Sequence, residues 1–245
     1  VIERPGSRLH RFRDQEEGMR MGLLGTGPVS QRLAGRLAGL GHEVMIGTRD
    51  VEALMARTEG AYDGSPAFAD WRTDHPTVRV GTFADAAAFA EMVWNATAGA
   101  ASLEALAMAG TRNLDGKILV DVANPLDVSH RMPPTLSVCN TDSLAEQIQR
   151  AFPGAKVVKT LNTVNARLMV DPAQVGGGDH HVFVSGNDQE AKSEVTRLLV
   201  EGFGWTNVLD LGDITSARAA EMYLPLWLRL FAAVGNPMVN VKVVW

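Results

Sequence analysis

The chain has 245 residues, 46% of them hydrophobic, and a formal net charge of -5. That length builds one large domain or two modest ones around a sizeable core. The mild acidity and the lack of a long Lys/Arg run argue against nucleic-acid binding. A single cysteine, Cys139, excludes an intrachain disulfide, argues against a zinc cluster and fits a reduced, cytoplasmic setting. Cys139 itself reads as a small buried or half-buried residue. No stretch reaches the roughly 18–20 apolar residues that span a bilayer, so no membrane is expected. The nearest candidate, Leu224–Val234, is short and carries Pro225 and Arg229. Residues 1–19 are densely charged with no apolar centre, unlike a signal peptide, and read as a surface-lying or mobile N-terminal extension.

The first predicted strand covers residues 21–24 and runs straight into Gly25-Thr26-Gly27-Pro28. A helix follows over residues 29–40, with Val29, Leu33, Leu37 and Leu40 at helical spacing. Gly41 stops it, and residues 42–47 form the second strand. A weak helix is expected over 50–59, capped by Asp50, then a polar loop or insertion over 60–77. Strand 78–82, helix 85–90 with Asp85 as its cap, strand 92–96 and helix 102–109 continue the alternation. Residues 117–122 are the clearest buried strand, ended by Asn124-Pro125. Helix 141–151, with Thr141 or Asp142 as cap, leads to strand 156–161. Beyond it come helix 164–170, a glycine-rich loop to 179, strand 181–185, helix 188–202 and strand 205–209. Residues 214–245 read as apolar helix broken at Pro225 and at Asn236-Pro237. This alternation predicts an α/β fold of the Rossmann type: a doubly wound, mainly parallel sheet over residues 20–160 and a smaller C-terminal α/β domain over 161–245.

The turn after the first strand carries the strongest functional signal. Gly25 permits a tight corner, and Gly27, lacking Cβ, lets a pyrophosphate approach the backbone. The helix behind them presents free amides and positive dipole. Ser30 stands where a third glycine is usual. Thr26, Pro28 and Val29 complete the loop. The context of strand, turn, helix and second strand makes this a dinucleotide site rather than an ordinary turn. The end of the second strand selects the coenzyme. An NAD site places a carboxylate there; this chain has Thr48-Arg49, a hydroxyl and a forked cation suited to the 2′-phosphate of NADP.

Gly25-Thr26-Gly27-Pro28-Val29, Leu33-Ala34, Leu37-Ala38, Gly41-His42-Glu43-Val44 and Ile46-Gly47-Thr48-Arg49-Asp50 together resemble the F420-dependent NADP oxidoreductase family. Relatives of that family occur as the NADPH-binding domains of membrane metalloreductases. The likeness continues through residues 157–164 and 182–188, and so covers the chain from Met21 onward. It implies that Gly25 to Val29 hold the pyrophosphate and Thr48 and Arg49 the 2′-phosphate. Asn95, Ala96 and Thr97 would line the nicotinamide side, with Asn124 and Pro125 closing the cleft; the carboxyl ends of the strands are also where ligands bind in such sheets. A deazaflavin, coenzyme F420, would stack near Asn162 and Thr163, with the C-terminal segment as one wall. The chain departs from archaeal members at Asn162, where they carry His, and in the insertion at 60–77.

Hydride exchange between two stacked rings needs near-contact and exclusion of water more than an acid–base residue. The sequence holds no Ser-x-x-x-Tyr-x-x-x-Lys pattern, metal-spaced His pair or activated nucleophile, so no catalytic side chain and no metal is assigned. His42, His180 and His181 read as structural. Three functions stay open: a deazaflavin:NADP oxidoreductase; an NADPH-dependent reductase of an imine, a flavin or a ferric chelate; and a non-catalytic NADPH-binding protein. The expected partners are a small-molecule redox acceptor and a second copy of the chain in a homodimer.

Overall fold

Strands buried on both faces read as continuous apolar runs and need helices on each side. The computed structural model, which describes residues 18–61, 64–129 and 133–245, has that arrangement. Strand β1 (Arg20–Leu24) leads to α1 (Pro28–Gly39), β2 (Glu43–Thr48) and α2 (Val51–Met55). Next come α3 (Phe68–Asp74), β3 (Arg79–Thr82), α4 (Phe83–Phe89), β4 (Met92–Asn95), α5 (Gly99–Ala109), α6 (Thr111–Leu114) and β5 (Ile118–Asp121). A small antiparallel pair, β6 (Leu126–Asp127) with β7 (Thr135–Leu136), precedes α7 (Leu144–Ala151) and β8 (Lys156–Thr160). The chain ends with α8 (Ala166–Val170), β9 (His181–Gly186), α9 (Gln189–Arg197), β10 (Asn207–Asp210), α10 (Ala217–Met222) and α11 (Leu224–Val234).

Eight strands make one sheet in the order β10-β9-β8-β5-β4-β1-β2-β3. All neighbours are parallel except β8 and β9. The chain thus winds outward from β1 in both directions, the doubly wound arrangement expected. Residues after 160 add β9 and β10 to the same sheet. Alternate strand residues feed opposite faces. Met21, Leu23, Trp94, Val120 and Val158 share a core with α1, α8 and α9. Leu24, Val93, Leu119 and Val157 pack with α4, α5 and α7 on the other side. The register runs a row of paired residues across the carboxyl edge: Gly47, Leu24, Asn95, Asp121, Lys159 and Ser185.

Several local expectations need correction. The stretch at 60–77 is not all loop: Phe68 and Trp71, one helical turn apart, are buried and anchor α3, with Trp71 stacked on His75 at 4.2 Å. Helix α4 starts two residues early because Thr82, not Asp85, is its cap; the two form a reciprocal capping box. Ser143 caps α7 in place of Thr141 or Asp142, and Asp142 instead holds Arg150 at 2.8 Å. The last residues are not helical. Gly235 ends α11 in the left-handed conformation, Pro237 lacks a donor, and the tail lies beside β9, with the His181 amide donating to the Val241 carbonyl at 2.9 Å. Cys139 is exposed rather than buried. The extension expected over 1–19 lies, but for Gly18 and Met19, outside the described residues. Among the described residues no helix is long and apolar enough to cross a membrane.

Candidate functional site

Strand β1 ends at Leu24 and the chain must turn at once to begin α1. Gly25 makes the corner at φ +114°, its amide donating to the Gly47 carbonyl at 3.1 Å. A Cβ there would stand 2.6 Å from the Ala96 carbonyl oxygen, so side chains are barred twice, by conformation and by space. Gly27 differs. A Cβ on it would meet nothing within 4 Å, so the approach to the start of α1 is open. No side chain caps that helix and its first turn holds no acid. The free amides and dipole of α1 therefore face open space, which fits a diphosphate. Gln31 steadies the loop by donating to the Thr26 carbonyl at 3.1 Å, and Val29 packs against the core. Ser30, in the third fingerprint position, is fully buried with a hydroxyl that finds no partner.

One strand over, Thr48 is buried and its hydroxyl leans on the Asp50 carbonyl at 3.4 Å. Arg49 is largely exposed, with Nη2 3.1 Å from Glu104 of α5. Asp50 caps α2, accepting from the Ala53 amide at 2.9 Å. A carboxylate in the position that would repel a 2′-phosphate is thus spent on the helix.

On the other side of β1, Asn95 is at the expected place but its side chain is turned inward. It donates to Ser102 Oγ at 3.0 Å and Asp121 Oδ1 at 2.8 Å, and its Oδ1 accepts from Thr97 Oγ1 at 2.7 Å. Ala96 and Thr97 turn back toward the Gly25 corner. Asn124 and Asn162 brace one another. Asn124 Nδ2 donates to the Asn162 carbonyl at 2.9 Å; Asn162 Nδ2 donates to Asn124 Oδ1 and to the Ala220 carbonyl, each at 3.0 Å. Leu161, at φ +59°, supplies the sharp turn that brings Asn162 and Thr163 to this edge. Pro125 is buried. Two hydroxyls flank the Asn162–Ala220 contact without partners: Thr163 Oγ1, beside Asn162, and Tyr223, one turn past Ala220. Burial pushes the Tyr223 phenol above its ordinary range.

Beneath these groups lies a buried charge cluster that sequence reasoning missed. Lys159 Nζ is 2.8 Å from Asp121 Oδ2 and 2.9 Å from Glu221 Oε1, all three side chains essentially without exposure. Glu221 also accepts the Leu144 and Ala145 amides at 2.8 and 3.1 Å, capping α7. Burial alone would depress the lysine, but the two carboxylates together outweigh it and hold its pKa above the usual lysine range. The available signal was a charge of opposite sign beside the apolar residues of each of two buried strands, Asp121 in β5 and Lys159 in β8, which neighbouring strands could pair.

The three histidines weighed in the sequence each have a structural partner. His42 Nδ1 accepts from the Met19 amide at 3.1 Å, His180 Nε2 bonds the Pro172 carbonyl at 2.9 Å, and His181 Nδ1 accepts from the Val243 amide at 3.2 Å. Among the described residues no group of three or more His, Cys, Asp or Glu side chains could hold a metal ion.

An open helix N-terminus behind a Gly-x-Gly corner, at the carboxyl edge of a doubly wound sheet, defines a dinucleotide-binding protein of the Rossmann type. Residues 20–125 match the family described as NADP oxidoreductase, coenzyme F420-dependent. A crystal structure of a candidate F420-dependent NADP-reductase from Arthrobacter sp. FB24 is 59% identical, covers 93% of this chain and all of its own, and superposes with a TM-score of 0.88. The chain belongs to the F420-dependent NADP oxidoreductase family, whose members are NADP-dependent oxidoreductases. It is also 26% identical to the F420-dependent NADP reductase of Methanothermobacter marburgensis, over 85% of this chain and 90% of that one. Metalloreductase STEAP3 of Rattus norvegicus is 32% identical over 86% of this chain, which spans 38% of that protein's length.

Proposed function

We propose that the protein transfers a hydride between NADP and a deazaflavin of the coenzyme F420 type at the carboxyl edge of the sheet. The observation that supports this most is the open space before α1, next to a corner where only glycine fits, with an exposed guanidinium one strand over. Gly25, Thr26, Gly27, Pro28 and Val29 hold the diphosphate through backbone amides. Thr48 and Arg49 take the 2′-phosphate. Ala96 and Thr97 line the nicotinamide side with backbone, because the Asn95 side chain is committed inward. Asn124 and Pro125 close the cleft. Asn162, locked to Asn124, fixes the wall where the deazaflavin stacks, with Thr163 buried beside it. When bound, the nicotinamide of NADP(H) would take or give the hydride. The chain supplies alignment and dryness, which such a step needs more than a proton shuttle. We read residues 20–160 as the coenzyme part and 161–245 as the acceptor part. The reduced lone thiol suits a cytoplasmic setting. A second copy of the chain covers the outer face of α11, where Leu226, Phe231 and Val234 stand exposed.

The test is turnover of reduced F420 with NADP by the purified protein. A hydride passing to NADP supports the reading; no turnover with any deazaflavin removes it. The likeness to a metalloreductase favours a second reading, an NADPH-dependent reductase of a flavin or ferric chelate. It predicts NADPH consumption with those acceptors and none with deazaflavin.

A further inference from the structure

Arg49 does not present a free guanidinium. Its partner Glu104 sits in the second turn of α5, and the two side chains are 61% and 64% exposed. Their elements flank the glycine corner. Arg49 directly follows β2, α5 follows β4, and β2 and β4 are the two neighbours of β1. The ion pair therefore joins the two walls on either side of the Gly25–Gly27 turn. The adjacent carboxylate, Asp50, is occupied by α2. Glu104 has no such commitment to the backbone.

We propose that Glu104 is an exchangeable counterion for Arg49. It holds the guanidinium when no coenzyme is bound, yields it to the 2′-phosphate, and takes it back as NADP(H) leaves. The inference rests on the NADP reading above and names a specificity-determining residue within it. An ion pair this exposed is weak and screened by salt, so a phosphate with more charge and more acceptor oxygens displaces it. The displaced carboxylate then stands near a group of like charge. Both costs fall on NADPH alone, since NADH offers only a neutral hydroxyl there. Glu104 thus loosens NADPH and speeds its release without touching NADH.

The experiment is to measure dissociation constants and release rates for NADPH and NADH with the wild type, Glu104→Gln, Arg49→Ala and the double variant. Glu104→Gln is expected to tighten NADPH by about two- to tenfold, chiefly through slower release, and to leave NADH within about twofold. The gain should vanish in the Arg49→Ala background and shrink as salt is added. Suppose the wild type prefers NADPH and Arg49→Ala loses that preference, yet Glu104→Gln leaves NADPH binding unchanged or weaker. Then the counterion role is overturned and the NADP site stands. A wild type with no preference for NADPH, unaffected by Arg49→Ala, overturns both.

Discussion

Two ion clusters share one edge of the sheet and sit in opposite media. Lys159 with Asp121 and Glu221 is sealed from water, whereas Arg49 with Glu104 lies mostly in it. Low dielectric strengthens a charge pair and also makes an uncompensated charge costly, so the sealed cluster cannot exchange partners. The wet pair can. The same edge therefore has a rigid base, tying β5, β8, α7 and α10 together, and an adaptable rim that a coenzyme can re-pair. A binding site needs both: fixed supports and a surface group whose bonds are cheap to swap.

Substitutions should separate the two roles. The largest effect is expected from Lys159→Met, which strands two buried carboxylates and should cost about 3–5 kcal/mol of unfolding free energy in denaturant titration. A cost below about 1 kcal/mol would mean the cluster is not the base described here. The two glycines of the corner offer the next contrast. Gly25→Ala should destabilise the fold by about 1–3 kcal/mol through its positive φ and the Ala96 carbonyl. Gly27→Ala, which meets nothing, should leave the melting temperature nearly unchanged and weaken NADPH binding. At the rim, Arg49→Ala should weaken NADPH binding by about tenfold or more, spare NADH, and move stability by no more than about 0.5 kcal/mol.

The smallest effect concerns acid. Arg150's hydrogen bonds hold Asp142 down to a pKa of about 2 from an ordinary 3.8. A depressed carboxylate stabilises the fold above its unfolded pKa and loses that contribution as pH falls through the folded value. Stability should therefore decline between the two values, and Arg150→Ala should raise the midpoint of acid unfolding slightly. An unchanged midpoint would show that the pair is too wet to matter.

The order of strands and helices was legible because apolar period and glycine stops are local. The corner at Gly25 was legible for the same reason: its spacing between strand and helix is a property of adjacent residues. The coenzyme choice proposed above rests on Arg49, which is likewise local, one residue past β2. What escaped depends on partners far along the chain. Helix α3 looked like loop because only two of its residues, Phe68 and Trp71, find a core. The cap of α7 looked like Thr141 or Asp142 because nothing local shows that Arg150, a turn and more away, claims Asp142. Asn95 and Asn124 looked like cleft-lining side chains, but Asp121 and Asn162, distant in sequence, claim their amides. Lys159 and Glu221 are 62 residues apart, and no pattern announces such a pair.

The central claim is that the coenzyme seats on the carboxyl edge at the start of α1, with Arg49 as the outer clamp. Backbone amide NMR during titration with NADPH tests it most directly. The account predicts that shifts concentrate at Gly25, Gly27, Ser30, Arg49 and Thr97, while the amides of β8 around Lys159 stay nearly still. Shifts gathered instead at the opposite edge, around Lys117 and Lys156, would contradict it.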